Sequence, residues 1–302
     1  MWLALALAAA LFQALRNTAM KRLGHALDEY INVWGRFTFL LPFALLGCVL
    51  AQLRRPIGDG GMVLIAFPTL ASGFWGWCAL FGVTQTLATL ALSKALKLSE
   101  ISLVTALWKV SLLILLGMAW VTIGEHPSAL GVTGVVLSVG GVYLLNISRA
   151  RLSPWAPLAV LFTDRGQRYT RLAAFFYAPS VISIKKAILV SDAAMGTFGG
   201  YLAASLIMTP IALATSARHF RALPRHWKEF VALGLFASLT TITQGHAYTL
   251  TLSSYVEAVK QVEILFAMAI GVLLFGEAQR VRESAVGAVV MLVGMILLAL
   301  AT

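Results

Sequence analysis

The chain contains 302 residues, of which 60% are hydrophobic and only 12% are charged, and its formal net charge is +11. A soluble globular domain has roughly 25% charged residues, so this composition excludes a soluble enzyme or binding domain and indicates a polytopic membrane protein. The positive charge does not indicate nucleic-acid binding, because nearly all basic residues lie in short loops between apolar runs. Cys48 and Cys78 lie within apolar runs without disulfide or zinc-site spacing, so no metal site and no cofactor is predicted.

Apolar runs bounded by charged or turn residues predict ten membrane-spanning helices, each close to the ~20 residues that cross a bilayer. The first run starts at Trp2 with no basic segment before it and no small-residue cleavage site, so it is predicted as a helix and not as a signal peptide. In the third, the apolar stretch begins at Met62, and Pro68 is expected to separate an interfacial turn from the helix. The predicted spans are residues 2–20, 31–53, 71–92, 101–123, 129–147, 172–189, 193–215, 230–250, 255–275 and 284–301.

One long polar connection, residues 148–171, separates five predicted spans from the other five, so the chain divides into repeats of residues 1–147 and 172–302. Residues 98–125 align with residues 250–277 without a gap, which indicates an internal duplication. Because each half has an odd number of spans, the second half must be inverted relative to the first. The matched pairs are Ser102 with Ser254, Val104 with Val256, Ala106 with Ala258, Val110 with Val262, and Gly124-Glu125 with Gly276-Glu277.

Two weaker sets of matches extend the duplication to the rest of each half. The fifth and tenth spans share glycines seven residues apart, which lie on one helix face and let a neighbouring helix approach closely, so a packing seam is predicted. These glycines are Gly134 and Gly141 in the fifth span, and Gly287 and Gly294 in the tenth. At the start of each half, Phe12, Ala14, Lys21 and Gly35 match Phe176, Ala178, Lys185 and Gly199 at one common offset.

The distribution of basic residues predicts the orientation in the membrane. Loops after odd-numbered spans carry most of them, whereas loops after even-numbered spans carry only Arg54, Arg55, Lys185 and Lys186. The excess of Lys and Arg on the cytoplasmic side of membrane proteins therefore places the odd-numbered loops in the cytoplasm. Both termini are predicted to lie on the outer side of the cytoplasmic (inner) membrane.

The repeated block consists of a helix, a Gly-Glu pair, a short turn and a glycine-bearing helix. It is clearest at residues 120–146 (WVTIGEHPSALGVTGVVLSVGGVYLLN) and 258–300 (AVKQVEILFAMAIGVLLFGEAQRVRESAVGAVVMLVGMILLAL). The block resembles the drug/metabolite transporter superfamily, specifically the ten-helix type with two EamA domains. The resemblance implies an all-α membrane protein with ten transmembrane helices as two inverted five-helix repeats around a central cavity, and it implies exchange or export of small metabolites. Members often have both termini in the cytoplasm, and the loop charges of this chain predict the reverse.

Charged residues inside the predicted spans are functional candidates, because a charge within a bilayer costs several kcal/mol unless it is paired or faces water. Lys109 lies too deep to reach the interface, and the first five spans contain no acid, so its partner must be an acid of the other half or a bound anion. Glu257 and Lys260 are spaced for an ion pair within the ninth span. Arg16 and Arg36 lie about one and a half turns from the cytoplasmic side, where they either extend to the interface or mark a cavity entrance. The six residues are Glu257, Glu263, Arg16, Arg36, Lys109 and Lys260.

Polar and aromatic residues surround these charges, although such residues are individually more often interfacial anchors or helix–helix hydrogen bonds. Four of them, Trp108, Gln244, Tyr177 and Asn17, complete the predicted substrate-binding or coupling site. Glu125 and Glu277 lie where helices end, and we interpret them as turn residues without a catalytic role. The remaining polar candidates are Trp75, Trp77, Gln85, Ser180, Ser183, His246 and Tyr248.

These features predict a secondary active transporter, an exporter or exchanger, that moves a small polar metabolite by alternating access. A cation-rich cavity favours a substrate with a carboxylate or phosphate, such as an amino acid or organic acid, and Glu257 or Glu263 could bind a coupling proton. The predicted partners are thus a small-molecule substrate, protons and the lipid bilayer. A lipid-linked or drug-like substrate is the alternative, and it predicts a laterally open, apolar groove. An intramembrane enzyme is less favoured, because no HExxH, GxSxG, paired-aspartate or Cys/His motif occurs in the sequence.

Overall fold

The computed structural model describes residues 1–24, 27–53, 70–150, 164–275 and 278–302. Over these residues the chain forms α-helices, two 3₁₀ segments and connecting turns, with no β-strand in the ranges described. The helices are α1 Trp2–Gly24, α2 Glu29–Thr38, α3 Leu41–Leu53, α4 Phe74–Leu98, α5 Ile101–Trp108, α6 Ser111–Ile123, α7 Ala129–Ala150, α8 Arg165–Leu189, α9 Ala193–Ser216, α10 Trp227–Tyr248, α11 Ser253–Val259, α12 Glu263–Phe275 and α13 Ala278–Leu300. The 3₁₀ segments are Ala217–His226 and Lys260–Val262.

The predicted all-α membrane protein is confirmed. Seven stretches of the described residues are long and apolar enough to cross a membrane, and the last of them, Ala193–Tyr248, takes in both α9 and α10. The shorter helix Ala285–Leu300 is also apolar. The count of ten spans and the inverted repeat stay predictions.

Three of the predicted spans are each divided into shorter helices in the structure. The span at 31–53 divides into α2 and α3, the span at 101–123 into α5 and α6, and the span at 255–275 into α11 and α12 with a 3₁₀ segment between them. The breaks at Lys109–Val110 and at Lys260–Val262 contain neither proline nor glycine. Their position in the duplicated block is the same, since Lys109 aligns with Gln261.

The connection between the two halves is shorter than predicted, because α7 continues to Ala150 and α8 begins at Arg165. Asp164 starts α8 early: its side chain accepts hydrogen bonds from the backbone N–H groups of Gly166 and Gln167, which would otherwise lack partners. The division into repeats at residues 147 and 172 stays a prediction. Several residues used in the sequence analysis lie outside the described ranges: Arg54, Arg55, Met62, Pro68, Arg151, Gly276 and Glu277.

Equivalent helices of the two halves make equivalent contacts, each with helices of the other half. The helix α1 packs on α10 and on α11–α12, while its counterpart α8 packs on α4 and on α5–α6. In the same way α2 contacts α10 and α9 contacts α4. The counterparts α7 and α13 pack on each other. This arrangement supports the predicted inverted repeat.

The predicted glycine seam is present between α7 and α13. A Cβ atom on Gly141 would lie 2.4 Å from the backbone nitrogen of Met291 and 2.7 Å from the carbonyl oxygen of Gly287. A Cβ atom on Gly134 would lie 2.9 Å from the carbonyl oxygen of Gly294. The two backbones therefore approach so closely that only glycine fits at these positions, as small residues permit in membrane helix pairs.

Gly140 and Gly141 offer a matched pair of substitutions to test this contact. A Cβ atom on Gly140 would meet no atom within 4 Å, whereas one on Gly141 would collide with the backbone of α13. We expect Gly141→Ala to lower the melting temperature of the purified protein in detergent, because forcing extra volume into a close contact costs about 1–3 kcal/mol. Gly140→Ala should melt at or above the wild-type temperature. Equal melting of the two variants would contradict the seam.

Candidate functional site

All ten residues of the predicted site lie on the wall of one internal cavity of about 360 Å³. The wall combines side chains from both halves of the chain, contributed by α1, α2, α4, α5 and α6, and by α8 to α12. The predicted residues are Lys109, Lys260, Glu257, Glu263, Trp108, Gln244, Tyr177, Asn17, Arg16 and Arg36. The structure brings them together, and their role in binding stays a prediction.

The two broken helices place lysines at the cavity. Lys109 follows the last residue of α5, and Lys260 opens the 3₁₀ segment after α11. Both side chains are buried, with 9% and 3% of the residue surface exposed, respectively. Discontinuous helices are typical of transporter binding sites, because an interruption frees backbone polar groups where they can face a cavity and not lipid.

Four hydrogen-bond donors contact the carboxylate of Glu257, and only 1% of the surface of this residue is exposed. Its Oε1 accepts hydrogen bonds from Lys260 Nζ at 2.9 Å, from Gln244 Nε2 at 2.9 Å and from the Tyr248 hydroxyl. Its Oε2 accepts one from the Tyr177 hydroxyl at 2.5 Å. The predicted ion pair between Glu257 and Lys260 is therefore confirmed. So many charge-assisted hydrogen bonds hold this carboxylate in its ionised form and in one orientation.

Glu263 is held more loosely. Lys109 Nζ lies 3.4 Å from Glu263 Oε1, and Asn17 Nδ2 donates to Oε2 at 3.1 Å. Asn17 Oδ1 in turn accepts a hydrogen bond from Arg16 Nη2 at 2.9 Å, so that one amide joins Arg16 to the acid. Lys109 thus pairs with an acid of the other half, as the sequence required, and that acid is Glu263.

Arg16 and Arg36 line the cavity without an acidic partner among the described residues. Of the two alternatives for these arginines, the structure favours the cavity over the membrane interface for Arg16, of which only 7% is exposed, whereas Arg36 is partly exposed. The reason is packing, because α1 lies against α10 and the segment around Lys260, which directs Arg16 inward. The Nε of Arg36 is buried and has no hydrogen-bond partner.

Aromatic and amide side chains complete the wall. The rings of Trp108 and Tyr177 meet edge to face with centroids 4.9 Å apart. Three of the remaining sequence candidates, Gln85, Ser180 and Tyr248, also line the cavity, and Ser180 donates a hydrogen bond to Gln85 at 2.6 Å. The others, Trp75, Trp77, Ser183 and His246, are not part of the wall.

The sequence analysis missed Tyr201 and Gln261, which line the cavity as well. Gln261 was identified only as the counterpart of Lys109, and its buried Oε1 has no hydrogen-bond partner in the structure. The alignment of Gln261 with Lys109 was the signal that could have identified it. Tyr201 carried no such signal, because an isolated tyrosine in an apolar run is typical of an interfacial anchor.

A buried ion pair joins the two halves beyond the cavity. Lys185 Nζ donates to Glu125 Oε1 at 2.6 Å and to the carbonyl oxygen of Thr251 at 2.8 Å. Glu125 also accepts hydrogen bonds from the backbone N–H and the hydroxyl of Ser253. Two interpretations from the sequence were therefore wrong: Lys185 is not a loop residue but lies within α8, and Glu125 is not a simple turn residue.

The Gly-Glu pair explains how Glu125 reaches this position. Gly124 ends α6 in the left-handed conformation with a φ of 68°, which glycine adopts without strain. The chain reverses there, and Glu125, only 7% exposed, lies against Lys185. The sequence signal was the recurrence of Gly-Glu in both halves, together with the match of Lys185 to Lys21.

Tyr248 connects this ion pair to the cavity. The Nζ of Lys185 lies 5.9 Å from the centroid of the Tyr248 ring, and the Tyr248 hydroxyl donates to Glu257. Tyr248 therefore lies between the Lys185–Glu125 pair and the carboxylate of Glu257.

The helical fold and the charged cavity between two halves define an integral membrane protein with a polar internal cavity. Residues 166–300 match the sequence model of the EamA-like transporter family. The match is consistent with the predicted resemblance to the drug/metabolite transporter superfamily and indicates a membrane transporter.

Two further comparisons complete this picture. A solved structure described only as "Crystal structure of protein" is similar over 99% of this chain and 96% of its own length, with a TM-score of 0.73 and 14% sequence identity. At this identity the likeness shows the fold alone, and it extends over both halves. No curated protein matches the sequence.

Lys185 and its neighbour Lys186 provide a test of the ion pair. We expect Lys185→Met to lower the free energy of unfolding by about 3–5 kcal/mol, because it leaves the buried Glu125 without a counter-charge. Lys186→Met is the control, since Lys186 is only partly buried and has no carboxylate partner among the described residues. Thermal and denaturant unfolding in detergent measure both variants. A loss for Lys185→Met no larger than for Lys186→Met would show that the pair contributes nothing to stability.

Proposed function

We propose that the protein is a secondary active transporter of the cytoplasmic membrane, an exporter or exchanger that moves a small polar metabolite by alternating access. The substrate carries a carboxylate or phosphate, as amino acids and organic acids do. The observation that supports this substrate class is the charge of the cavity. Four basic side chains and two acidic ones on its wall leave two positive charges in excess. An excess of positive charge inside an apolar bundle favours the entry of an anionic group.

The two ends of the cavity support alternating access. At the end nearest the Lys185–Glu125 pair, the wall is formed by Ile188 and Tyr248, which are both 2% exposed. At the opposite end, the wall residues Met20 and Ser93 are partly exposed, and Leu96 is 38% exposed. We infer that this second end admits the substrate in this conformation. It lies beside the odd-numbered loops, so the loop charges assign it to the cytoplasm.

The composition of the wall favours this substrate class over a lipid-linked or drug-like one. Such a substrate would need an apolar groove, whereas six charged side chains line the cavity, along with amides, hydroxyls and aromatic rings. Orientation by a few well-placed polar groups is typical of sites for small metabolites.

Of the two acids that could bind a coupling proton, Glu263 is the better candidate. Glu257 accepts four hydrogen bonds, whereas Glu263 has two partners, one of them at 3.4 Å. Glu263 shares the cavity wall with the positively charged side chains of Arg16, Lys109 and Lys260. A bound anionic substrate offsets these charges, so we infer that proton and substrate binding favour each other, and such coupling is reciprocal.

The proposed function is tested first by transport in proteoliposomes. A panel of radiolabelled amino acids, dicarboxylates, sugar phosphates, nucleosides and organic cations identifies the substrate by uptake and exchange. We expect Lys109→Gln to reduce transport of that substrate at least tenfold, because a basic group of the cavity is lost and Glu263 loses its ion-pair partner. Lys228→Gln, which alters an exposed lysine outside the cavity, should transport like the wild type. Absence of transport for every compound, or full transport by Lys109→Gln, would contradict the proposal.

The two acids should respond differently to neutralisation. Glu263→Gln should abolish proton-driven accumulation but retain substrate-for-substrate exchange, because exchange requires the conformational change and no cycle of protonation. Glu257→Gln should lower the melting temperature and impair both modes, since it leaves Lys260 buried without a counter-charge. The measurement is paired uptake and exchange under an imposed pH gradient. Parallel loss of both modes in Glu263→Gln would assign this acid to a structural ion pair and remove it from coupling.

A further inference from the structure

The two arginines of the cavity differ from its two lysines in their electrostatic environment. Each lysine has its own carboxylate, Lys260 with Glu257 at 2.9 Å and Lys109 with Glu263 at 3.4 Å. Neither Arg16 nor Arg36 forms an ion pair with any residue in the described ranges. Two lysine pairs are therefore neutral overall, and the excess charge of the cavity resides on the arginines.

The arginines also have hydrogen-bonding capacity to spare. Arg16 uses its Nε and Nη2 to donate to a single oxygen, Asn17 Oδ1, at 3.3 and 2.9 Å. The buried Nε of Arg36 has no acceptor, and its Cζ lies 5.9 Å from the centroid of the Phe37 ring. A guanidinium group carries five N–H donors in a planar fork, so most of these donors have no acceptor among the residues that the structure describes.

Both guanidinium groups lie on the wall of the same cavity, and neither has a carboxylate partner among the described residues. Two like charges in a low-dielectric setting are unfavourable unless an anion lies between or beside them. Planar forks of this kind bind carboxylate and phosphate oxygens in pairs, which a lysine ammonium does not.

We propose that Arg16 and Arg36 together bind a substrate group, or pair of groups, with two negative charges, such as an organic diacid or a phosphate monoester. This inference rests on the proposed transport function and narrows its substrate class, since a zwitterionic amino acid or a monocarboxylate leaves one arginine uncompensated. The lysine pairs then act as neutral neighbours that position the substrate without adding net charge.

The structure predicts opposite effects of neutralising unpaired and paired cations. In the absence of any substrate, Arg36→Gln should raise the melting temperature of the purified protein in detergent, because it removes an uncompensated charge. Lys260→Gln should lower it, because it strips Glu257 of its counter-charge. Arg36→Lys keeps the charge and should melt close to the wild type. A lower melting temperature for Arg36→Gln than for Arg36→Lys would overturn the proposal.

Binding is tested in the same preparation with succinate, inorganic phosphate and acetate at equal ionic strength. We expect succinate and phosphate to stabilise the wild type at concentrations at least tenfold lower than acetate, as the loss of one charge-assisted contact implies. Arg16→Gln and Arg36→Gln should each lose this preference, while Lys228→Gln should keep it. Equal stabilisation by all three anions would refute the dianion site, even if transport of some other metabolite is found in liposomes.

A phosphate group could belong to a soluble metabolite or to a lipid, so a second arm compares short-chain phosphatidic acid with short-chain phosphatidylcholine. Stabilisation by inorganic phosphate or succinate supports a soluble substrate. Stabilisation by phosphatidic acid alone, when it depends on Arg16 and Arg36, would support the dianion site but overturn the proposed transport of a small soluble metabolite.

Discussion

Four basic side chains and only two carboxylates line a cavity inside an apolar helical bundle. The other polar side chains of the wall surround these charged groups. Each carboxylate is committed to a lysine, and amides and hydroxyls occupy the remaining lone pairs of Glu257. Because ion pairs in a low-dielectric interior are stable only when both partners are held in good geometry, the surrounding hydrogen bonds are as necessary as the charges. The positions of Gln244, Tyr177 and Asn17 follow from this requirement.

The backbone also contributes to this geometry through the helix breaks. Lys109 and Lys260 lie at two of these interruptions, and both line the wall of one cavity. The ion pair of Lys185 and Glu125 lies beyond one end of the cavity, and Tyr248 lies between this pair and Glu257. The ion pair between the halves and the charged groups of the cavity are therefore connected by a short series of side-chain contacts.

The sequence brought together most of the charged residues of the cavity but not the helices that carry them. Charges within apolar runs are so unfavourable that Lys109, Lys260 and both acids were marked as functional candidates, whereas Arg16 and Arg36 were left between the membrane interface and a cavity entrance. The breaks at Lys109–Val110 and at Lys260–Val262 were not predictable, because no proline or glycine marks them and a uniform apolar run is compatible with a continuous helix. The role of Lys185 was missed for a related reason: it lies within one turn or so of a predicted helix end, where a lysine normally reaches water. Only the tertiary contact with Glu125 distinguishes it from its neighbour Lys186.

The glycine seam between α7 and α13 separates two kinds of sequence change. These helices belong to different halves, and among the described residues neither contributes a side chain to the cavity wall. Substitutions along the seam alter how the halves hold together, whereas substitutions on the wall alter what the protein binds. A lineage can therefore exchange the residues that recognise one metabolite for those that recognise another while the backbone contact of Gly141 with Gly287 stays untouched. The packing of the two halves can therefore stay unchanged while the residues that line the cavity vary.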